Sequence, residues 1–458
     1  MKRKIIVLMI VMAVAGAVNA ATQQDIQQAI DDGLAHLAGT ITTSGSEGYW
    51  YLGNNGTLSA TGSAALAFIE EGYLPGNDVI IGGTNYGDVV GKATRYIFNR
   101  ATKQAIGAQT MGHPEDYDNN GTGDGNGQGI YFNPGYYTRN VYTTGIVAPV
   151  VYALGEALGE NTAVGMGTVS TMTYKEVMRD VIDWFSWGQV DPAYGNYRGG
   201  WRYNANWSSS DNSTAQWGSL PSLYGDEWGL ATPQFVKDEL KLWTDYIQNE
   251  NGGSGYDWDG SIVNVSKTGG LMIQFAEMGY SLGVNNSDSI YNTIGNEVDA
   301  AKAFINSRWN TDPSGTWYGN EGHPYAMWAV YKALDTYGFL VTDPGPDGIL
   351  GTADDYVKGT GMSNAAGGIE IGQDWDSDTS LAGDWYSHYC DWLVGNQNGD
   401  GSWSGYSYWS GALSAGWYIN ILNATGAPPP VIPVPGAFLL GCIGLAFAGR
   451  KLQRRKEL

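Results

Sequence analysis

The chain has 458 residues, with 67 Gly, 30 Tyr and 18 Trp but only 15% charged side chains, and a formal net charge of −22. Its ends hold eight of the 24 basic residues and one of the 46 acidic ones, so the middle sets 16 basic side chains against 45 acidic. A body this acidic excludes nucleic acid and anionic lipid as partners, and two cysteines, Cys390 and Cys442, exclude a disulfide framework or a Cys-based zinc cluster.

In chain order, Lys2-Arg3-Lys4, an apolar run over 5–14 and the small-residue exit Val18-Asn19-Ala20 predict a secretory signal peptide over 1–20, cut after Ala20. Residues 21–425 then read as six copies of one αα-hairpin. The first pairs a helix over 22–37, with Ile26, Ile30, Leu34 and Leu37 on one face, with a second helix from about 59 to Gly72-Tyr73. The second unit uses 89–105, a polar insertion, and 143–158. The third uses 174–189, the turn Gly199-Gly200-Trp201-Arg202-Tyr203, and a helix starting at Ser213, where Ser213 and Gln216 have the form of a capping box.

The fourth unit uses 234–248, Gly252-Gly253-Ser254-Gly255-Tyr256 and a helix over 266–280. The fifth uses 297–309 and 321–338, and the sixth 384–396 and 408–422. Several second helices end in a Gly-aromatic or aromatic-Gly pair, as packed helix C-caps do. Six such pairs predict an all-α fold, an (α/α)6 toroid with second helices forming one ring and first helices the other.

The turn at 199–203 with its following helix resembles the terpenoid cyclase and prenyltransferase repeat. Gln397-Asn398-Gly399-Asp400-Gly401-Ser402-Trp403 is similar to that family's QW motif. The resemblance, over roughly 22–425, implies a squalene cyclase-like toroid whose Gln caps helix ends and stacks on the Trp. Cyclisation by protonation requires an acidic D-x-D-D cluster in an apolar cavity, and none is present. Asp31-Asp32 fall on the exposed side of the first helix, and Asp354-Asp355 and Asp374-Trp375-Asp376 in loops. Protein prenyltransferases hold zinc with Asp, Cys and His. His388-Tyr389-Cys390-Asp391 has those residue types, but adjacent on one helix they do not converge on a metal.

At the C-terminus, a Pro-rich linker (426–433) precedes an apolar span and a basic run. Ile432-Pro433-Val434-Pro435-Gly436 with the following apolar and basic residues resembles a PEP-CTERM sorting signal, in the variant with Val between the prolines. That implies a transmembrane tail over 434–458, an exosortase-type processing enzyme as partner, the inner membrane as an anchor before processing, and a cell-envelope or extracellular-matrix destination.

Two further patterns point to ligands. Oxygen side chains alternating along Gly turns suit calcium, with Asp343, Asp347, Asp354 and Asp355 as first choice and Asp116, Asp118 and Asn120 as second. Aromatic and polar residues outside the repeat core, Tyr203, Trp207, Trp258, Trp375 and His323, are the candidate ligand-binding set, since flat rings beside polar groups stack on sugars. The expected function is that of an exported, non-catalytic envelope or exopolysaccharide-associated protein that binds a ligand or polysaccharide on the toroid. The alternatives are a polysaccharide lyase or glycoside hydrolase on the same toroid, and a divergent terpenoid cyclase-like enzyme.

Overall fold

The structure, a computed structural model, describes residues 21–53, 56–116, 126–135, 139–286, 295–309, 315–344, 348–350, 355–362 and 384–424. The predicted signal peptide and the linker and sorting tail lie outside the described residues. Twelve α-helices are present among these residues: α1 Gln23–Thr40, α2 Thr57–Glu70, α3 Tyr86–Phe98, α4 Asn140–Leu158, α5 Tyr174–Gly188, α6 Asn212–Glu227, α7 Gln234–Ile247, α8 Val265–Glu277, α9 Glu297–Arg308, α10 Pro324–Thr336, α11 Trp385–Gly395 and α12 Ala412–Leu422.

The even-numbered helices form a closed inner ring. Each packs on the next, and α12 packs on α2. Their composition accounts for this: α8 and α10 are buried along their whole length, and a helix without a polar face must be surrounded by other elements. The odd-numbered helices carry one apolar stripe and lie outside. In α5 that stripe is Val177, Val181, Ile182, Trp184 and Phe185. Where inner helices touch, glycine lets backbones approach. A Cβ on Gly145 would lie 2.4 Å from the Trp217 carbonyl oxygen, and one on Gly416 2.5 Å from the Ser63 carbonyl carbon.

The ring's centre is filled. Trp417 stacks between Trp217 and Trp328, with ring centroids 6.0 and 6.3 Å away. Lys332 lies in the same layer, with Nζ 4.1 Å from the Trp217 centroid and 3.4 Å from Gln216 Oε1. Burial holds its amine down to about 7.

Neighbouring hairpins are joined by one repeated device. Gln189 Nε2 donates to the Gly199 carbonyl at 2.8 Å and the Val236 carbonyl at 3.0 Å. Gln248 does the same to Gly252 and Glu297, and Gln397 to Gly401 and Ala29. The second bond of each reaches the next outer helix, and Gln397 thereby ties the last hairpin to the first. Trp201 and Trp403 donate their indole N–H to Phe185 and Leu393 carbonyls. Ser254 takes the corresponding place in the fourth unit.

The fold is mostly helical, consistent with the predicted α/α toroid, with four short two-stranded antiparallel sheets beside the helices among the described residues. Three predicted details are corrected. The helix predicted over 89–105 ends at Phe98, because Ala101–Ala105 pairs with Gln128–Phe132 of the insertion. The helix predicted from 408 begins at Ala412, after a tight turn in which Tyr406 and Trp409 pair. The cap of α6 is not Ser213. Asp211 holds the extended N-cap conformation, and Ser213 Oγ donates to its carboxylate at 2.6 Å. Gln216 turns into the core instead, where its Nε2 donates to Tyr325 Oη.

Candidate functional site at the mouth of the inner ring

Because six hairpins repeat, all six inner helices run the same way and their first turns converge at one mouth. A cavity of about 540 Å³ opens there, lined by Ser59 at the start of α2, Arg139 and Tyr142 of α4, Ser213 of α6, Ser266 and Lys267 of α8, His323 and Tyr325 of α10, and Leu413 of α12. The turns preceding these helices add Tyr203, Tyr256, Trp317, Tyr408 and Trp409. No Asp or Glu lines it among the described residues. Six helix N-termini bring the positive ends of six dipoles to this rim, with first-turn N–H groups taken up by Asn264 in α8, by His323 in α10, and by the Tyr203 and Tyr256 carbonyls in α4 and α6.

The aromatic wall is held from several elements. Trp409 stacks on Tyr325 at 5.1 Å, approaches His323 at 4.8 Å, and donates its indole N–H to Tyr142 Oη at 2.9 Å. Tyr408, beside it, is 60% exposed. His323 is the N-cap of α10, and its Nδ1 accepts the Ala326 N–H at 3.3 Å. The lone pair is therefore used, and Nε2 carries the hydrogen. Burial and the neighbouring Lys267 cation hold this imidazole down to about 3, so it is neutral and acts as a donor.

The polar floor centres on Asp211, fully buried. Its carboxylate accepts from Ser213, from Thr214 Oγ1 at 3.0 Å and from Tyr256 Oη at 3.3 Å, and pairs with Arg202 Nε at 3.6 Å. Burial raises its pKa while these partners oppose the rise. Tyr203 Oη lies 3.3 Å from Tyr256 Oη, and burial pushes the Tyr256 phenol well up, which keeps it protonated.

Lys267 stands apart. It is 2% exposed and lines the cavity, yet among the described residues its ammonium makes no hydrogen bond or ion pair. Its nearest features are ring faces, Trp317 at 5.8 Å and Tyr256 at 6.0 Å. Burial holds it down to about 7, and the Asp211 charge partly offsets this. The α8 cap places it: Asn264 Oδ1 accepts the Lys267 N–H, and Asn264 Nδ2 donates to the Trp317 carbonyl.

Of the predicted ligand-binding residues, Tyr203 and His323 line the mouth. Trp207 and Trp258 do not; they are surface rings, 38% and 50% exposed. Trp375 lies outside the described residues, as do Asp347, Asp354, Asp118, Asn120 and the side chain of Asp116. Asp343 pairs with Lys358 across a β-hairpin, and Asp355 flanks the second strand of that hairpin. Among the described residues no group of three or more His, Cys, Asp and Glu converges to hold a metal. In the His388–Asp391 segment, His388 Nδ1 lies 2.7 Å from Glu321 Oε1 and 2.9 Å from Trp309 Nε1, and Cys390 is buried.

Sequence reading missed Arg139, Tyr142, Tyr256, Lys267, Trp317, Tyr325, Tyr408 and Trp409. Their shared signal is position, in the first turn of a second helix or just before it, but the helix facing that selects them is not set by spacing.

No family model matches the chain, and no curated protein matches it. Among solved structures, the chain is similar to a glucoamylase of Hormoconis resinae. That match covers 89% of this chain and 76% of the other, at 10% identity and a TM-score of 0.40.

Proposed function

We propose that this is an exported cell-envelope or exopolysaccharide-associated protein whose toroid binds a saccharide chain at the mouth of its inner ring, without cleaving it. The observation that carries the reading is the lining of the mouth: tyrosine and tryptophan faces for sugar rings, and serine hydroxyls and a neutral histidine N–H for sugar oxygens. Glycoside hydrolysis needs two carboxyl groups flanking the scissile bond. Among the described residues the cavity offers none, and the Asp211 carboxylate below it is engaged by Ser213, Thr214, Tyr256 and Arg202.

The same repeats support kinship with the terpenoid cyclase-like toroids, with the chemistry absent. There is no D-x-D-D cluster, and the ring's centre, where an apolar cavity would lie, is packed with tryptophan. The predicted signal peptide and the sorting tail support export and processing by an exosortase-type enzyme. The test is calorimetric titration of the exported chain with oligosaccharides, and of Tyr408→Ala and Trp409→Ala. Saturable binding weakened about tenfold or more in either variant is expected, since stacking rings each contribute on the order of 1 kcal/mol or more. Binding that is absent for every sugar, or present and unchanged in both variants, overturns the reading. Shortening of the oligosaccharide during the titration favours the lyase or hydrolase alternative.

A further inference from the structure

Resting on that reading, we infer that the saccharide is acidic and seats its carboxylate on Lys267. A buried ammonium without hydrogen-bond partners is costly, and proteins supply such groups with an acceptor. The acceptor enters through the cavity, because the carboxylate whose charge acts on Lys267, that of Asp211, is already engaged by Arg202, Ser213, Thr214 and Tyr256. Arg139 at the start of α4 adds a second cation to the lining. The mouth is thus locally positive, although the chain as a whole is strongly acidic. Such a field in a low-dielectric cleft selects an anion over a neutral sugar.

The experiment is calorimetry of the exported chain with a uronate trisaccharide and with the same trisaccharide after its carboxyl groups are reduced to alcohols. The uronate is expected to bind about tenfold or more tighter, and Lys267→Met and Lys267→Gln each to erase that ratio. Equal affinity for the two sugars, or a ratio that persists in both variants, overturns the inference while leaving saccharide binding intact. Binding of neither sugar overturns the saccharide reading itself, and this inference with it.

A second observation stands independently. The Ala21 backbone nitrogen donates to Asp391 Oδ1 at 2.6 Å, and Ala21 is 5% exposed. Ala21 directly follows the predicted cleavage point, and Asp391 sits on α11, in the last hairpin of the ring. The geometry points to Ala21 as the mature N-terminus, its new ammonium locking the first hairpin to the last. Hydrolysis of the Ala20–Ala21 peptide by water, at an export peptidase, leaves a carboxylate on Ala20 and the ammonium on Ala21. A hydrogen bond from a neutral amide to the carboxylate then becomes an ion pair in which both partners are charged.

The test is mass spectrometry of the exported chain's N-terminus, with thermal unfolding of the wild type, Asp391→Asn, a chain carrying one extra Gly before Ala21, and the combination. Ala21 as first residue is expected, with a lowered Tm in each single change and no further loss in the combination. A different N-terminus, no loss in either single change, or losses that add fully, overturns the proposal.

Discussion

Gly199 carries a positive φ of +84°, and a Cβ there would sit 1.9 Å from the Glu239 carbonyl oxygen. Gly229 also has a positive φ, +72°, but faces open space. Gly229→Ala therefore costs about 1 kcal/mol of backbone strain, and Gly199→Ala about 3 kcal/mol or more, because a packed helix has to move as well. Equal denaturation midpoints for the two variants would contradict the brace described at Gly199.

At the same scale, an acidic sugar seated on Lys267 as proposed would bind with a pH-dependent affinity. Asp211 acts on Lys267 with its charge, and the lysine shares the cavity with Tyr203 and Tyr256, with Arg139 at the N-cap of α4, and with His323 and Tyr325 at the start of α10. Of these, Tyr256 and Tyr325 are pushed well above the ordinary phenol range and His323 far below neutrality. Lys267, at about 7, changes charge within this range. Affinity for an acidic sugar is expected to fall between pH 7 and 9 in titrations, while affinity for its neutral counterpart stays level.

At the scale of the element, the glutamine braces decide how hairpins meet. Gln189→Ala leaves the Gly199 and Val236 carbonyls without their donor. A loss of about 2–4 kcal/mol in chemical denaturation is expected, since each buried acceptor left unmade costs on the order of 1–3 kcal/mol. A loss within about 0.5 kcal/mol, the range of ordinary surface substitutions, would show that the brace is incidental.

The elements were also where the sequence was most legible. Apolar periodicity and Gly-aromatic turns located all six hairpins, and the Gln and Trp of the QW-like turn mark real contacts. The misreadings share a cause. Ser213 and Gln216 have capping-box spacing, but Asp211 two residues earlier offers a carboxylate, and Gln216 finds Tyr325 and Lys332 in the core. Residues 101–105 continue a helical pattern, but their partner strand lies beyond an insertion, at 128–132. The site was half legible. Tyr203 and His323 stand out as polar aromatics outside the repeat core, whereas Lys267 reads as an ordinary helix lysine until the ring closes around it.

At the scale of the whole molecule, two lysines are held inside a mostly apolar toroid, Lys267 at the mouth and Lys332 at the centre. Both have folded pKa values of about 7, below the ordinary lysine value of 10.5. Between about pH 7 and 9 these two lysines therefore bind protons in the unfolded chain that the folded chain refuses, and their share of stability rises with pH across that window; nearer pH 10 the buried tyrosines, whose phenols burial pushes up, act in the opposite direction. Denaturant unfolding is expected to show about 1–2 kcal/mol of added stability per lysine between pH 7.5 and 9. Lys332→Met should remove its share of the slope. A flat profile, or an unchanged slope in the variant, would contradict the burial of these amines.

The central claim is that six parallel inner helices build one saccharide-binding mouth at their N-terminal ends. Hydrogen–deuterium exchange of the exported chain, with and without a saturating uronate oligosaccharide, tests it most directly. Protection is expected at the segments around 139–142, 256–267, 323–325 and 407–410, which lie far apart in sequence and meet only at the mouth. Protection confined to the surface loops holding Trp207 or Trp258, or at the opposite end of the ring, would contradict it.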